Sequence, residues 1–361
     1  MPETEEPDLG LINSTVVIGA GLLGASIGAA LTRAGVTVHL TDAVFSHARV
    51  AASLGAGTVD KPDPAAVRLV VVATPPRSLA AVIGEALDKY PNAAVTDVGS
   101  VKSRVLHQLQ STGRDLSRYL GSHPMAGSQH SGPMSASPDL FVDRTWAVTP
   151  HRQVSEPTAD RVRLLIQVCG ARYTAFTPED HDRAVAQVSH LPQLVSVLMA
   201  DHLLGIPSGH LELAGQGLRD VTRIAGSDPD LWEQIIAGNV DALRPELEDV
   251  RTRLDELIDA LDDPAHKVRA FLQRGVNGTR QIPGKHGAPA MDYAQIVIEL
   301  PDTPGALAQL FRDFADAGVN VEDIQIQHDL VRQVGYLAVS VEPGHLRDVQ
   351  EAMRAAGWRL V

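Results

Sequence analysis

The sequence predicts an α/β Rossmann-type doubly wound parallel sheet, followed by an all-α helical domain and a small α+β domain of βαββα type. Three observations predict it. Between residues 15 and 176, short β-branched runs alternate with Ala- and Leu-rich helical periods. From about 180 to 275 the strand signal stops and apolar residues recur at helical spacing. After a Gly- and Pro-containing break, "QIPGKHGAP" (281–289), strand-like and helical runs resume to the C-terminus.

"TVVIG" (15–19), "VTVHLTD" (36–42), "RLVVVAT" (68–74), "AAVTDVG" (93–99) and "TWAVTP" (145–150) read as strands. Repeated βα units imply a parallel sheet with helices on both faces. "HDRAVAQVSHLPQLVSVLMADHLL" and "PELEDVRTRLDELIDALDD" read as long helices, with Pro192 kinking the first. At the C-terminal end, "AQIVIEL", "GALAQLFRDFADAG", "NVEDIQIQ" and "GYLAVSVE" precede a last helix near 344–356. The expected division is a disordered acidic tail (1–13), an α/β domain (14–179), a helical domain (180–280), a linker (281–290) and an α+β domain (291–361).

With 361 residues the chain is long enough for two or three cores. Its 44 acidic and 31 basic residues give a net charge of −13, which repels phosphate backbones and disfavours a nucleic-acid partner. A small anionic substrate held by a few local cations remains compatible. The single cysteine, Cys169, cannot form an internal disulfide, which suits a reducing cytoplasm. No apolar run reaches membrane-spanning length, so no membrane partner is expected. The opening "MPETEEPDLG" lacks the basic and apolar regions of a signal peptide. No metal-ligand spacing and no G-x-S-x-G nucleophile motif is present.

"VVIGAGLLGASIG" places Gly19, Gly21 and Gly24 in G-x-G-x-x-G spacing between a strand and a helix opened by Leu22 and Leu23. Gly19 permits the tight turn, Gly21 admits a pyrophosphate, and Gly24 lets helix and strand pack closely. The helix N-terminus adds free N–H groups. Asp42, at the end of the second strand, is placed to accept from a ribose 2′-hydroxyl and to repel a 2′-phosphate, which favours NAD over NADP. "ATPP" puts Thr74 and Pro75 after the third strand, where a turn either lines the cofactor cleft or is simply rigid.

In "TDVGSVKS", Ser100 either caps a helix or points a hydroxyl into the cleft. "GSHPMAGSQHSG" follows the short β run "RYLG" and sets His123 at a strand end, among residues too small to form a core. An imidazole accepts a proton near neutrality, so His123 suits a base that deprotonates a hydroxyl as hydride leaves the adjacent carbon. In "GLRDVTRIAGSDPDLW", Arg219 and Arg223 lie four apart on one helix face and suit a carboxylate-bearing substrate, or a solvated basic face. His190 in "VSHLPQL" fits a packed core histidine equally well.

Taken in order, these motifs closely resemble the prephenate/arogenate dehydrogenases of tyrosine biosynthesis, and "IELPDTPGALAQLFRDFADAGVNV" resembles an ACT domain, a small amino-acid-sensing module. The resemblance implies oxidative decarboxylation of prephenate to 4-hydroxyphenylpyruvate with NAD+ as acceptor. The alternatives are arogenate as substrate or, more remotely, an NAD- and amino-acid-binding regulator. It implies that His123 accepts the proton of the substrate's 4-hydroxyl, that Ser100 orients the same hydroxyl or the imidazole, and that Arg223 binds a carboxylate. Arg219 stands where many members have lysine. His190 and Trp232 fall in the substrate motifs, and Gln193 replaces a second histidine. A homodimer is implied, with an aromatic amino-acid effector near Asp302, Pro304, Gly305 and Asn320.

Gln129 stands where an acid accompanies arogenate use in the resembled family. Prephenate carries a keto group where arogenate carries an ammonium, and a carboxylate near that carbon attracts the ammonium. Gln129→Glu is therefore expected to shift the ratio of kcat/KM for prephenate over arogenate several-fold toward arogenate, about 1 kcal/mol. An unchanged ratio would place Gln129 away from the substrate side chain.

Overall fold

The computed structural model describes residues 8–126, 132–282, 294–301, 303–319, 321, 323–329 and 334–361. Two compact units divide at 259/260.

The first unit opens with alternating strands and helices: β1 (Thr15–Ile18), α1 (Leu22–Arg33), β2 (Val38–Thr41), α2 (Phe45–Ser53), β3 (Leu69–Val72), α3 (Leu79–Lys89), β4 (Ala94–Asp97) and α4 (Ser103–Ser111). β1 to β4 form a parallel sheet in the order β2-β1-β3-β4, with Thr15 opposite both Val38 and Leu69. Alternate residues of each strand serve opposite faces. Val17 and Val71 pack into a core with Ile27 and Leu31 of α1, while Val16, Val70 and Val72 pack with Ile83 and Leu87 of α3 and Val105 and Leu109 of α4. Apolar residues on both faces explain the nearly continuous valine runs.

A second sheet follows: β5 (Gly121–Pro124), β6 (Thr145–Thr149), helix α5 (Glu156–Val168) and β7 (Arg172–Ala175). β5 runs antiparallel to β6, and β6 parallel to β7. His123 thus lies within a strand, opposite Ala147, and not in a loop beyond a strand end as the sequence suggests. The "RYLG" run only leads in, with Tyr119 bridging Val95 of β4 in parallel. β5 escapes recognition because it has no aliphatic side chain. At Gly121 space is short: a Cβ there would lie 2.8 Å from Thr149 Oγ1 and 3.0 Å from the Tyr119 hydroxyl.

A buried polar network fastens β5 to the end of β4. Lys102, 1% exposed, forms an ion pair with Asp97 and donates to the Ser122 carbonyl at 2.8 Å. Tyr119 donates to the other Asp97 oxygen at 2.9 Å. Burial, then the neighbouring Asp97 charge, raises the Tyr119 pKa well above 10 and keeps the phenol a donor. Ser122 Oγ donates to the Asp97 carbonyl and accepts from Thr96 and from the indole of Trp146.

The helical part comprises α6 (Pro178–Val185), α7 (Leu191–His202), α8 (Ser208–Leu211), α9 (Gln216–Thr222), α10 (Pro229–Gly238) and α11 (Val240–Ala260). α6 passes into α7 through a π-helical turn, Ala186–His190, closed by Leu191 N–H to the Ala186 carbonyl. Pro192 follows directly after this turn, at the start of α7. No residue of α9 is buried, and Val221 is 50% exposed, so the apolar residues there do not serve this chain's own core.

The second unit contains α12 (Arg269–Thr279), β8 (Ala294–Pro301), α13 (Ala306–Asp316), β9 (Asp323–Asp329), β10 (Val334–Val341), α14 (Leu346–Ala355) and β11 (Arg359–Leu360). Its sheet is antiparallel in the order β11-β8-β10-β9. Ile298, Leu337 and Val339 of the sheet pack on Leu310 and Phe314 of α13 and Val349 and Met353 of α14. The terminal two-residue strand extends the expected βαββα pattern. Gly305 caps α13 with φ +90°, a conformation that favours glycine.

Lys102→Met would leave Asp97 buried without its counter-charge. A loss of about 3–5 kcal/mol is expected, read as a lower urea midpoint for the first unit. An unchanged midpoint would show that Asp97 does not depend on the pair.

Candidate active site

The glycine loop is built by close approach. Gly19 has φ +100°, and a Cβ there would lie 2.4 Å from the Ala73 carbonyl oxygen. A Cβ on Gly24 would lie 1.8 Å from the Gly19 carbonyl oxygen, whereas Gly21 faces open space. The N–H groups of Leu22 and Leu23, in the first turn of α1, have no intrahelical partners. Asp42 draws the loop onto the end of β2, accepting from Ala20 N–H at 2.7 Å and from Val44 N–H at 2.8 Å. The Thr74 hydroxyl is buried and has no partner among the described residues, and Pro75 follows it on the surface. Free N–H groups, open space before Gly21 and an unsatisfied hydroxyl fit a dinucleotide's phosphates and ribose.

His123 is the first link of a hydrogen-bonded chain. Its Nδ1 lies 3.0 Å from His181 Nε2, and His181 Nδ1 lies 2.9 Å from Asp182 Oδ1. Asp182 also accepts from the N–H of Lys102 and of Ser103, each at 2.8 Å. It therefore caps α4 from a distant helix, the task open to Ser100 in the sequence; α4 begins three residues beyond Ser100. Burial acts to raise the Asp182 pKa, but the hydrogen bonds from His181, Lys102 and Ser103 outweigh it and the net shift is downward. An ionised carboxylate only accepts, so His181 carries a hydrogen on Nδ1, and in the neutral form of its ring it presents a lone pair at Nε2. His123 must then donate through Nδ1, which leaves its Nε2 as the acceptor. Burial, followed by His181, Lys102 and His190, lowers the His123 pKa well below 6.5. The ring is thus neutral and ready to accept a proton at neutrality.

His190 closes the π turn. The Asn239 amide donates to its Nδ1 at 3.1 Å and to the Asp182 carbonyl at 2.7 Å. Burial, the largest cause, lowers the His190 pKa to about 4. Trp232 meets its ring edge-on at 6.0 Å. Gln193, 4% exposed, donates to the Ile224 carbonyl at 3.0 Å, which ties α7 to the turn after α9. Arg219 and Arg223 are exposed and make no ion pair among the described residues, and neither touches the His123 chain. Gln129, Asp302 and Asn320 lie outside the described residues. Pro304 is exposed beside Gly305.

Sequence reasoning missed His181, Asp182 and Asn239. The adjacent pair in "HDRAVAQVSH" was the available signal, an acid next to a histidine at the start of a helix.

A glycine-cradled dinucleotide site and an accepting imidazole in one unit define a dinucleotide-dependent dehydrogenase. Residues 27–175 match the nucleotide-binding domain of prephenate dehydrogenase, 177–273 its dimerization domain, and 294–356 the ACT domain. A probable prephenate dehydrogenase of Streptomyces niveus, NovF, is 33% identical over 96% of this chain and 99% of its own. Synechocystis arogenate dehydrogenase is 28% identical, with TM-score 0.63 over 74% of this chain and 98% of that one. Prephenate dehydrogenase from A. aeolicus, solved with hydroxyphenyl propionate and NAD+, is 24% identical, with TM-score 0.66 over 74% and 97%. The chain belongs to the prephenate dehydrogenase family and carries a C-terminal ACT domain.

The His123 ring, followed by NMR, is expected to titrate below 6.5, the ordinary imidazole value. Because its folded pKa is depressed, the neutral ring's contribution to stability is present above about 6.5 and is lost as pH falls toward the folded value. A midpoint at or above 6.5 would contradict the burial argument.

Proposed function

We infer that the chain is an NAD-dependent prephenate dehydrogenase, converting prephenate and NAD+ to 4-hydroxyphenylpyruvate, CO2 and NADH in tyrosine biosynthesis. The observation that carries this reading is the accepting Nε2 of a neutral His123, in a unit that also holds a dinucleotide cradle. Gly19, Gly21, Leu22, Leu23, Gly24, Asp42, Thr74 and Pro75 would hold the cofactor. When bound, NAD+ supplies the hydride acceptor.

His123 Nε2 takes the proton of the ring 4-hydroxyl as hydride leaves the carbinol carbon. The bond to the ring carboxylate breaks, and its electron pair completes the aromatic ring. The imidazole then returns its proton to the new phenol oxygen, so no net proton is released. Ser100, half-buried in the β4–α4 connection, positions the hydroxyl. Arg223 and, secondarily, Arg219, which make no ion pair among the described residues, offer guanidiniums to the two carboxylates. The edge-on His190–Trp232 pair and Gln193 shape the ring pocket.

The exposed apolar residues Val197, Leu198, Leu213 and Val221 support a homodimer through the helical part. For the ACT domain we propose an aromatic amino-acid effector, tyrosine first, at the Gly305 turn. The single free thiol, Cys169, is buried, which is consistent with the cytoplasm as the proposed compartment. No helix among the described residues is long and apolar enough to cross a membrane. Gln129, a neutral residue, favours prephenate; arogenate is the second reading, supported by the Synechocystis relative.

His123→Asn is expected to lower kcat by about 10²–10⁴-fold with the KM for NAD+ unchanged, followed as NADH absorbance. In the unsubstituted enzyme, the acid limb of kcat/KM is expected below 6.5. Turnover near the original level in the variant would remove His123 from the chemistry.

A further inference from the structure

We propose that His181 and Asp182 form a positioning pair that fixes the tautomer of His123 and bears the charge it acquires on taking the substrate's proton. The proposal rests on the reading of His123 as the base. An imidazole offers two neutral tautomers, and only one presents a lone pair on the nitrogen remote from His181. The choice is made at Asp182, three steps from the substrate. Its carboxylate already accepts two backbone N–H groups at 2.8 Å and has only acceptor capacity left for His181, 2.9 Å away. The 3.0 Å contact passes that constraint to His123.

The same chain answers the charge problem. Proton uptake breaks the substrate O–H bond and forms an N–H bond at His123 Nε2, giving a cation on a half-buried ring. His190 faces this group from the π turn, and Lys102, from the β4–α4 connection, is itself cationic. Neither stabilises a positive imidazole. Asp182 is the carboxylate on the chain, and the His123 Nδ1 proton moves toward His181 Nε2 so that the charge lies between His181 and Asp182. The reverse shift returns the proton to the phenol oxygen. No reactant beyond prephenate and NAD+ is required. His181 is 1% exposed, and its two ring nitrogens are taken up by His123 and Asp182.

The test compares His181→Leu and His181→Gln with the unsubstituted enzyme, alongside ¹⁵N NMR of the histidine rings. Leucine breaks the chain and is expected to lower kcat about 10²–10³-fold without moving the KM for NAD+. Glutamine can accept from His123 Nδ1–H and donate to Asp182 but cannot carry a proton. It is expected to recover about ten-fold over leucine and to stay about ten-fold below the original enzyme. In the original enzyme at pH 7.5, about one unit above the ordinary imidazole value, the ¹⁵N spectrum should show His123 protonated at Nδ1. Hydrogen on Nε2 would overturn the proposal without any variant having to fold. Full activity in the leucine variant would overturn it too, and full activity in the glutamine variant would overturn the charge-bearing role. If His123→Asn is inactive while His181→Leu is active, only this proposal fails; if both are active, the reading of His123 fails with it.

Discussion

The carboxylate of Asp182 is the constraint on which the site depends. It stands on α6, yet it terminates α4 by accepting the N–H groups of Lys102 and Ser103. One residue thus sets the first turn of a helix in the nucleotide-binding part and the orientation of the imidazole beside it in sequence. An uncapped helix start costs about 1 kcal/mol, and a buried unpaired carboxylate costs more, so neither end of the arrangement relaxes cheaply without the other. The carbonyl of the same residue receives Asn239, which adds the start of α11 to the assembly.

Three imidazoles gather at the β5 strand; burial, joined by repulsion from His181 and His190, keeps His123 neutral, and burial keeps His190 neutral against the pull of Asp182. The adjacent Lys102 strengthens this effect at His123 although its own charge is paired with Asp97. Basicity is therefore not raised to make a stronger base. The protein gives up basicity and gains a site that is unprotonated throughout the neutral range.

How much of this was legible in the sequence depended on how local the signal was. The glycine fingerprint, the following helix and Asp42 span some two dozen residues, and each obeys a steric rule that holds without tertiary context. His123 stands out because it falls at the end of a β run, where the glycine loop, Thr74 and Ser100 also fall. Its partner His181 lies 58 residues away and its network lysine 21 residues away, and no periodicity connects them. β5, Gly-Ser-His-Pro, carries no β-branched residue, and Gly121 has no room for a side chain against Thr149 and Tyr119, so the usual strand signature is absent. The Gln193 amide donates to the Ile224 carbonyl and ties α7 to it, a tertiary contact that no local pattern encodes.

The π turn at Ala186–His190 has a consequence for how the two halves of one long helix can vary. A single residue beyond the α-helical count advances the helical phase by about 100°. His181, Asp182 and Val185 upstream face the nucleotide-binding part, while Gln193 and Ser196 downstream are turned to bond the Ile224 and Val221 carbonyls. The turn works as a phase shifter. It lets one rod address two surfaces that a uniform helix would reach only by bending. A one-residue deletion there would keep the composition and length almost intact, yet would rotate the far half away from its partners as a block. The spacing between the "HD" and "HLPQ" segments is therefore a structural quantity in its own right, as binding on the chain as the identity of the residues it separates.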